Sequence, residues 1–138
     1  MLATPTLWQL ISLIAMSLLF IAAGINHLVN PDFYRTITPN FMPWPLTMIY
    51  VSGALEILGG FGLLFPVLRW YAGWGLIALL IAVSPVHVDM WVHADKFPQV
   101  PTWALIARML LQPLLIFWVW WTTIRRTQPY TSQRFTIL

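Results

Sequence analysis

The sequence predicts an all-α, polytopic membrane protein: a bundle of four transmembrane helices with a short interfacial helix in the first connection. Three observations carry this. Of the 138 residues, 59% are hydrophobic and only 8% are charged, where soluble domains carry about 25% charged residues. The mean hydropathy is +0.77. The apolar residues gather into four runs, about 7–26, 46–65, 70–91 and 102–124, each near the ~20 residues that a spanning helix needs. A soluble bundle would need a polar face on each helix, and no run has one wide enough for water. The whole chain reads as one domain, with a polar tail over 125–138.

The first run resembles a signal peptide in length. It lacks a basic leading segment and a small-x-small cleavage site, so it is expected to stay as a helix. Ser12, Ala15, Ala22 and Asn26 align along it. In the first connection Asn30 is a good N-cap and Pro31 suits the first helical position. Phe33 and Ile37 then share a face, so 31–37 is expected to lie at the interface, either capping the bundle or gating a pocket. Pro39, Pro43 and Pro45 stiffen the rest of this connection.

On the second run Ser52, Gly53, Glu56, Gly59 and Gly60 share a face, with Val51, Leu58 and Phe65 opposite. Small residues let helix backbones approach, so this face points inward. On the third, Ser84 and His87 lie one turn apart. On the fourth, Ala104, Arg108, Gln112 and Leu115 face inward while Trp103, Leu110, Phe117 and Trp121 face lipid. Pro85 and Pro113 each remove a helical donor, freeing the carbonyls of Ile81 and Met109. Arg108 and Gln112 are candidate donors to those carbonyls.

Tryptophans mark the two boundaries. Trp44, Trp91 and Trp103 fall at one, and Trp8, Trp70, Trp74, Trp120 and Trp121 at the other. Lys and Arg divide four to two: Arg69, Arg125, Arg126 and Arg134 against Arg35 and Lys96. The positive-inside rule then puts both termini in the cytoplasm. The few basic residues sit mostly at helix ends, and nucleic acid is not an expected partner. There is no cysteine, which excludes disulfide, thiolate and iron–sulfur chemistry within this chain.

Glu56 and Arg108 are the sharpest functional signal. A charge deep in hydrocarbon costs on the order of 3 kcal/mol or more and usually faces a partner or a cavity. Two readings stay open. The pair is a structural brace that fixes helix register, supported by Gln112 and Ser52. Or it lines a polar pocket for the head of an apolar ligand, Arg108 donating to a carbonyl or phenolate oxygen and Glu56 accepting or carrying a proton. At ~1.5 Å per residue, Asn26, His27, His87 and Asp89 lie nearer the surface, Arg108 deeper, and Glu56 nearest the midplane. His87 is the candidate proton shuttle. His87 and His93 are six apart, off a common helical face, and no His-Glu-x-x-His motif occurs, so no metal site is expected. No catalytic residue is assigned. Gly59-Gly60-Phe61-Gly62 lies within a span and is not a nucleotide loop.

The chain resembles the DoxX family of small four-helix membrane proteins. The resemblance runs from Ala23-Gly24-Ile25-Asn26-His27 through Pro31, Tyr34 and Pro39, then Ser52-Gly53-Ala54-Leu55-Glu56-Ile57-Leu58-Gly59-Gly60 and Leu63-Leu64. It continues through Arg69 and Ala72-Gly73-Trp74-Gly75-Leu76 to Arg108-Met109-Leu110-Leu111-Gln112-Pro113-Leu114-Leu115-Ile116. It implies a bacterial inner-membrane protein acting as a subunit or accessory of a redox or quinone-linked system, with a redox protein as partner. Any sulfur chemistry would need another protein. A quinone or other lipid-like ligand over Glu56 and Arg108, with Gln112, His87, Asn26, His27 and Ser52 around it, is the compatible version. The alternative is a non-catalytic anchor or assembly protein that recruits a partner through its connections or basic tail. A small-molecule exporter ranks last, because four helices leave little room for a path unless the protein forms a homo-oligomer.

Overall fold

A computed structural model describes residues 5–125, so the predicted polar tail beyond Arg125, with Arg126 and Arg134, lies outside the described residues. Five helices follow one another: α1 (Leu7–Val29), α2 (Pro31–Ile37), α3 (Pro45–Leu64), α4 (Arg69–Val92) and α5 (Thr102–Val119). Ala94–Lys96 form a single 3-10 turn, and Trp120–Ile124 continue α5 as a π-helical turn. No strand occurs among the described residues. α1, α3, α4 and the joined α5 are each long and apolar enough to cross a membrane. Their most apolar stretches are at most 33% buried inside the bundle. A soluble core would bury most of that surface; here the remainder faces outward, as lipid-facing helices require. The protein is a multi-pass membrane protein.

Helix ends follow from local chemistry. The Thr6 side chain accepts from the Gln9 N–H at 3.3 Å and starts α1. The chain turns at Asn30, and Pro31 opens α2. Between Pro43 and Pro45, Trp44 takes a left-handed conformation, φ 47°. A residue before proline avoids the right-handed helical region, so the chain turns sharply onto α3. Arg69, which reads as a loop residue in the sequence, is buried at the start of α4. Its Nε donates to the Leu63 carbonyl at 2.9 Å, filling an acceptor that the end of α3 leaves open.

The helices pack in sequence: α1 on α3, α3 on α4, α4 on α5, with α2 against α1 and α3. The α1–α3 pair is the closest. A Cβ on Gly24 would strike the Gly53 carbonyl, and one on Gly60 would lie 2.8 Å from Ile21 Cγ1. The Ser17 hydroxyl donates to the Gly60 carbonyl at 2.7 Å. Bonds of this kind between membrane helices average about 0.6 kcal/mol. Ser17→Ala is therefore expected to lower the unfolding free energy in detergent by about that amount, measured by chemical denaturation. A loss of several kcal/mol would mean that the hydroxyl also fixes the helix crossing.

α1 differs from expectation in its inward face. Leu13, Met16, Ser17, Phe20 and Gly24 are buried, whereas Ala15, Ala22 and Asn26 are exposed. The large side chains fill the space beside α3 and turn the predicted small-residue stripe outward. On α5 the predicted faces hold: Gln112 is buried, and Trp103, Leu110, Phe117 and Trp121 are exposed.

The π turn closes the ring. Extra residues per turn let both Thr122 and Thr123 point inward. Thr123 donates to the Val119 carbonyl at 2.6 Å and sits against Gly73 of α4. Thr122 lies 3.4 Å from Ser12 of α1, whose hydroxyl also accepts from the Trp118 indole at 2.7 Å.

Two apolar clusters hold the interior. One joins Met16 and Phe20 of α1, Leu63 of α3, Leu76, Ile77 and Leu80 of α4, and Val119 of α5. The other lies at the α2 end, where Ile37 meets Met90, Phe97 and Leu105.

Candidate functional site

Between the two clusters lies a polar layer. On α4, Ser84 and His87 fall between Leu80 of the first cluster and Met90 of the second. On α5, Arg108 and Gln112 fall between Leu105 and Val119. α1 adds His27, beyond Phe20, and α3 adds Ser52 and Glu56, before Leu63. Along the helices, one apolar cluster lies to each side of these residues.

The α1–α3 side of the layer is organised around His27. The Ser52 hydroxyl donates to the Ile49 carbonyl at 2.9 Å. A hydroxyl has one hydrogen, so at 3.0 Å it accepts from His27 Nδ1. This fixes the tautomer and leaves Nε2 with the lone pair. The imidazole rests on Tyr34 of α2, with ring centroids 3.9 Å apart. Glu56 is 9% exposed. Its Oε2 is 4.0 Å from His27 Nδ1, too long for a hydrogen bond, and has no partner.

The α4–α5 side holds a cavity of about 220 Å³, lined by Ser84, His87, Val88, Met109, Gln112, Pro113 and Ile116. Ser84 bonds within its own helix, to the Leu80 carbonyl at 2.8 Å. His87 Nδ1 is buried and has no partner. Arg108 is near enough for its charge to act on both His27 and His87, and so links the two sides.

Arg108 and Glu56 do not form the ion pair that the sequence invites. Among the described residues no carboxylate lies within ion-pair distance of Arg108, and the near neighbour of Glu56 is His27. Nor do Arg108 and Gln112 donate to the carbonyls of Ile81 and Met109; neither side chain makes a hydrogen bond within the described residues. The helix crossing sets these distances: α5 lies against α4, and α3 against α1.

Of the predicted site residues, His27, Ser52 and Glu56 come together, as do His87 and Gln112, with Arg108 near both histidines. Asn26 stands apart. It is exposed, donates to the Tyr34 hydroxyl at 2.6 Å and accepts from Asn30 at 2.7 Å. That chain ties α2 to the end of α1. Asp89 pairs with His93 at 3.1 Å on the outside of α4. Tyr34 was not singled out from the sequence as a site residue. The four-residue spacing of Asn26, Asn30 and Tyr34 was the signal that could have found it.

A family model matches residues 16–123, which span both apolar clusters and the polar layer. The chain belongs to the family described as a domain of unknown function, DUF8561. No curated protein and no solved structure matches the chain. Among the described residues the layer holds a buried carboxyl oxygen and a buried imidazole nitrogen without partners, and a half-buried guanidinium without a carboxylate or hydrogen bond. Leaving a buried polar atom unsatisfied costs about 1–3 kcal/mol. Such groups suit a small molecule that carries both a donor and an acceptor.

Proposed function

We propose that this protein binds a lipid-soluble molecule with a small hydrogen-bonding head, of the quinone class, in its polar layer. It serves as a membrane subunit or accessory of a redox system in the bacterial inner membrane, with both termini cytoplasmic. The observation that carries the reading is the pair of orphaned buried atoms, Glu56 Oε2 and His87 Nδ1, in a layer whose Arg108 has no carboxylate within ion-pair distance among the described residues. Apolar clusters flank the layer at both ends. A molecule dissolved in the bilayer approaches such a layer from the side, between helices.

The cavity of about 220 Å³ has the room of about seven waters at ~30 Å³ each, enough for one substituted six-membered ring. Of the layer's polar groups, Ser84, His87 and Gln112 line this cavity and meet the ring, His87 as donor or acceptor. Arg108 and Glu56 lie outside that lining and engage oxygens that extend beyond the cavity, Arg108 donating to a carbonyl or phenolate oxygen and Glu56 accepting from a hydroxyl. Redox cycling of such a head moves protons as well as electrons, and His87 and Glu56 are the groups able to exchange them. Any sulfur chemistry coupled to it would need a partner protein, since the chain has no cysteine. This agrees with what the resemblance to the DoxX family implies.

The test is to purify the protein in mild detergent and identify co-purifying small molecules by mass spectrometry. A quinone-class molecule is expected in the wild type. Glu56→Gln is expected to lower its occupancy about tenfold, the equivalent of 1.4 kcal/mol. An empty wild type whose unfolding temperature does not shift on adding a benzoquinone would overturn the reading.

A further inference from the structure

A second, larger cavity opens on the outer face of α4. It measures about 510 Å³ and is lined by Ile81, Ser84, Pro85, Val88, Asp89, Val92 and His93 of α4 together with Phe41 from the α2–α3 connection. Ser84 and Val88 line both this groove and the smaller cavity that holds His87 and Gln112. One turn of α4 therefore separates the groove from the polar layer. Pro85 lies in that turn and leaves the Ile81 carbonyl without its helical donor.

The lining is mostly apolar: Phe41, Ile81, Pro85, Val88 and Val92, with Ser84 and the Asp89–His93 pair as its polar members. A mostly apolar groove of more than twice the volume of the head cavity, sharing Ser84 and Val88 with it, suits a flexible hydrocarbon chain.

We infer that this groove is the tail site of the ligand whose head lies in the polar layer. The ligand class is thus narrowed to amphiphiles with a small ring head and a hydrocarbon tail. The tail lies along the outside of α4 between Ile81 and Val92, and the head reaches His87 past Ser84 and Val88. The inference rests on the ligand reading proposed above.

The probe is a benzoquinone with a ten-carbon tail that ends in a photoreactive diazirine, added to the protein in lipid nanodiscs. Labelled residues are mapped by mass spectrometry, with excess unlabelled quinone as competitor. Competable labelling within residues 81–93 is the expected result. Ile81→Trp, at an exposed position in the groove, is expected to cut that labelling at least fivefold while binding of the tailless benzoquinone stays within twofold. Competable labelling on α1 or α3 instead would overturn the tail site and leave the head site standing. Absence of any competable labelling, with no binding of the tailless ring, would overturn both.

Discussion

Arg108→Leu is expected to empty the polar layer without loosening the bundle. A hydrogen bond to a charged group is worth about 1.5–3 kcal/mol, so the quinone should bind roughly 10- to 150-fold more weakly. Stability should move the other way. The guanidinium has no carboxylate within ion-pair distance and no hydrogen bond among the described residues. Replacing such a charge by leucine within a span relieves on the order of 2.5–3.5 kcal/mol. The ligand-free variant should therefore unfold in detergent at the same or a higher temperature than the wild type. A structural brace makes the opposite forecast. Removing one partner of a buried pair costs about 3–5 kcal/mol, and ligand content would follow stability. Thermal unfolding of ligand-free protein, measured beside quinone binding, separates the two: a large drop in unfolding temperature would sink the pocket reading of Arg108.

Gly53→Leu is expected to have the largest effect on the fold. A Cβ at this position would lie 2.7 Å from His27 Cβ and 2.9 Å from the Gly24 carbonyl. Both are fixed to the α1 backbone, so a larger side chain fits only if α1 and α3 part. Overpacking in close-packed interiors costs about 1–3 kcal/mol and occasionally more; with two backbone-tied neighbours, about 3 kcal/mol or above is expected. The same displacement moves His27 away from Ser52, so ligand binding falls with stability. Gly75→Leu is the matched control, because nothing lies within 4 Å of a Cβ there. Equal losses from both variants, read by chemical denaturation in detergent, would show that hydrophobic bulk rather than the α1–α3 approach is responsible.

Much of the candidate site was visible as a set of residues but not as an arrangement. Glu56, Arg108 and Gln112 stand out because a charge or amide in an apolar run is costly wherever its helix lies. His27 and Ser52 were readable as neighbours of that cluster, yet their shared bond, and the tautomer it fixes, needs α1 and α3 at one particular rotation. The ion pair of the brace reading is absent among the described residues for the same reason. Opposite charges at similar depth meet only if their helices adjoin on the right faces, and α3 packs between α1 and α4. The small-residue stripe on α1 misled because alanine is equally at home against lipid, and Leu13, Met16 and Phe20 fill the interior instead.

The sequence by itself determined the four spans, the short helix at Pro31 and the lipid-facing side of α5. These depend on transfer free energy, proline geometry and helical period, which sum over residues that are neighbours in the chain. Only the tertiary structure decided that Ile37, Met90, Phe97 and Leu105 pack together on one side of the polar layer, that the π turn brings Thr122 back to Ser12, and that Arg108 has no carboxylate within ion-pair distance among the described residues. Each of these depends on the crossing and rotation of helices distant in sequence. Close packing of glycine, serine and threonine against opposing backbones fixes that geometry.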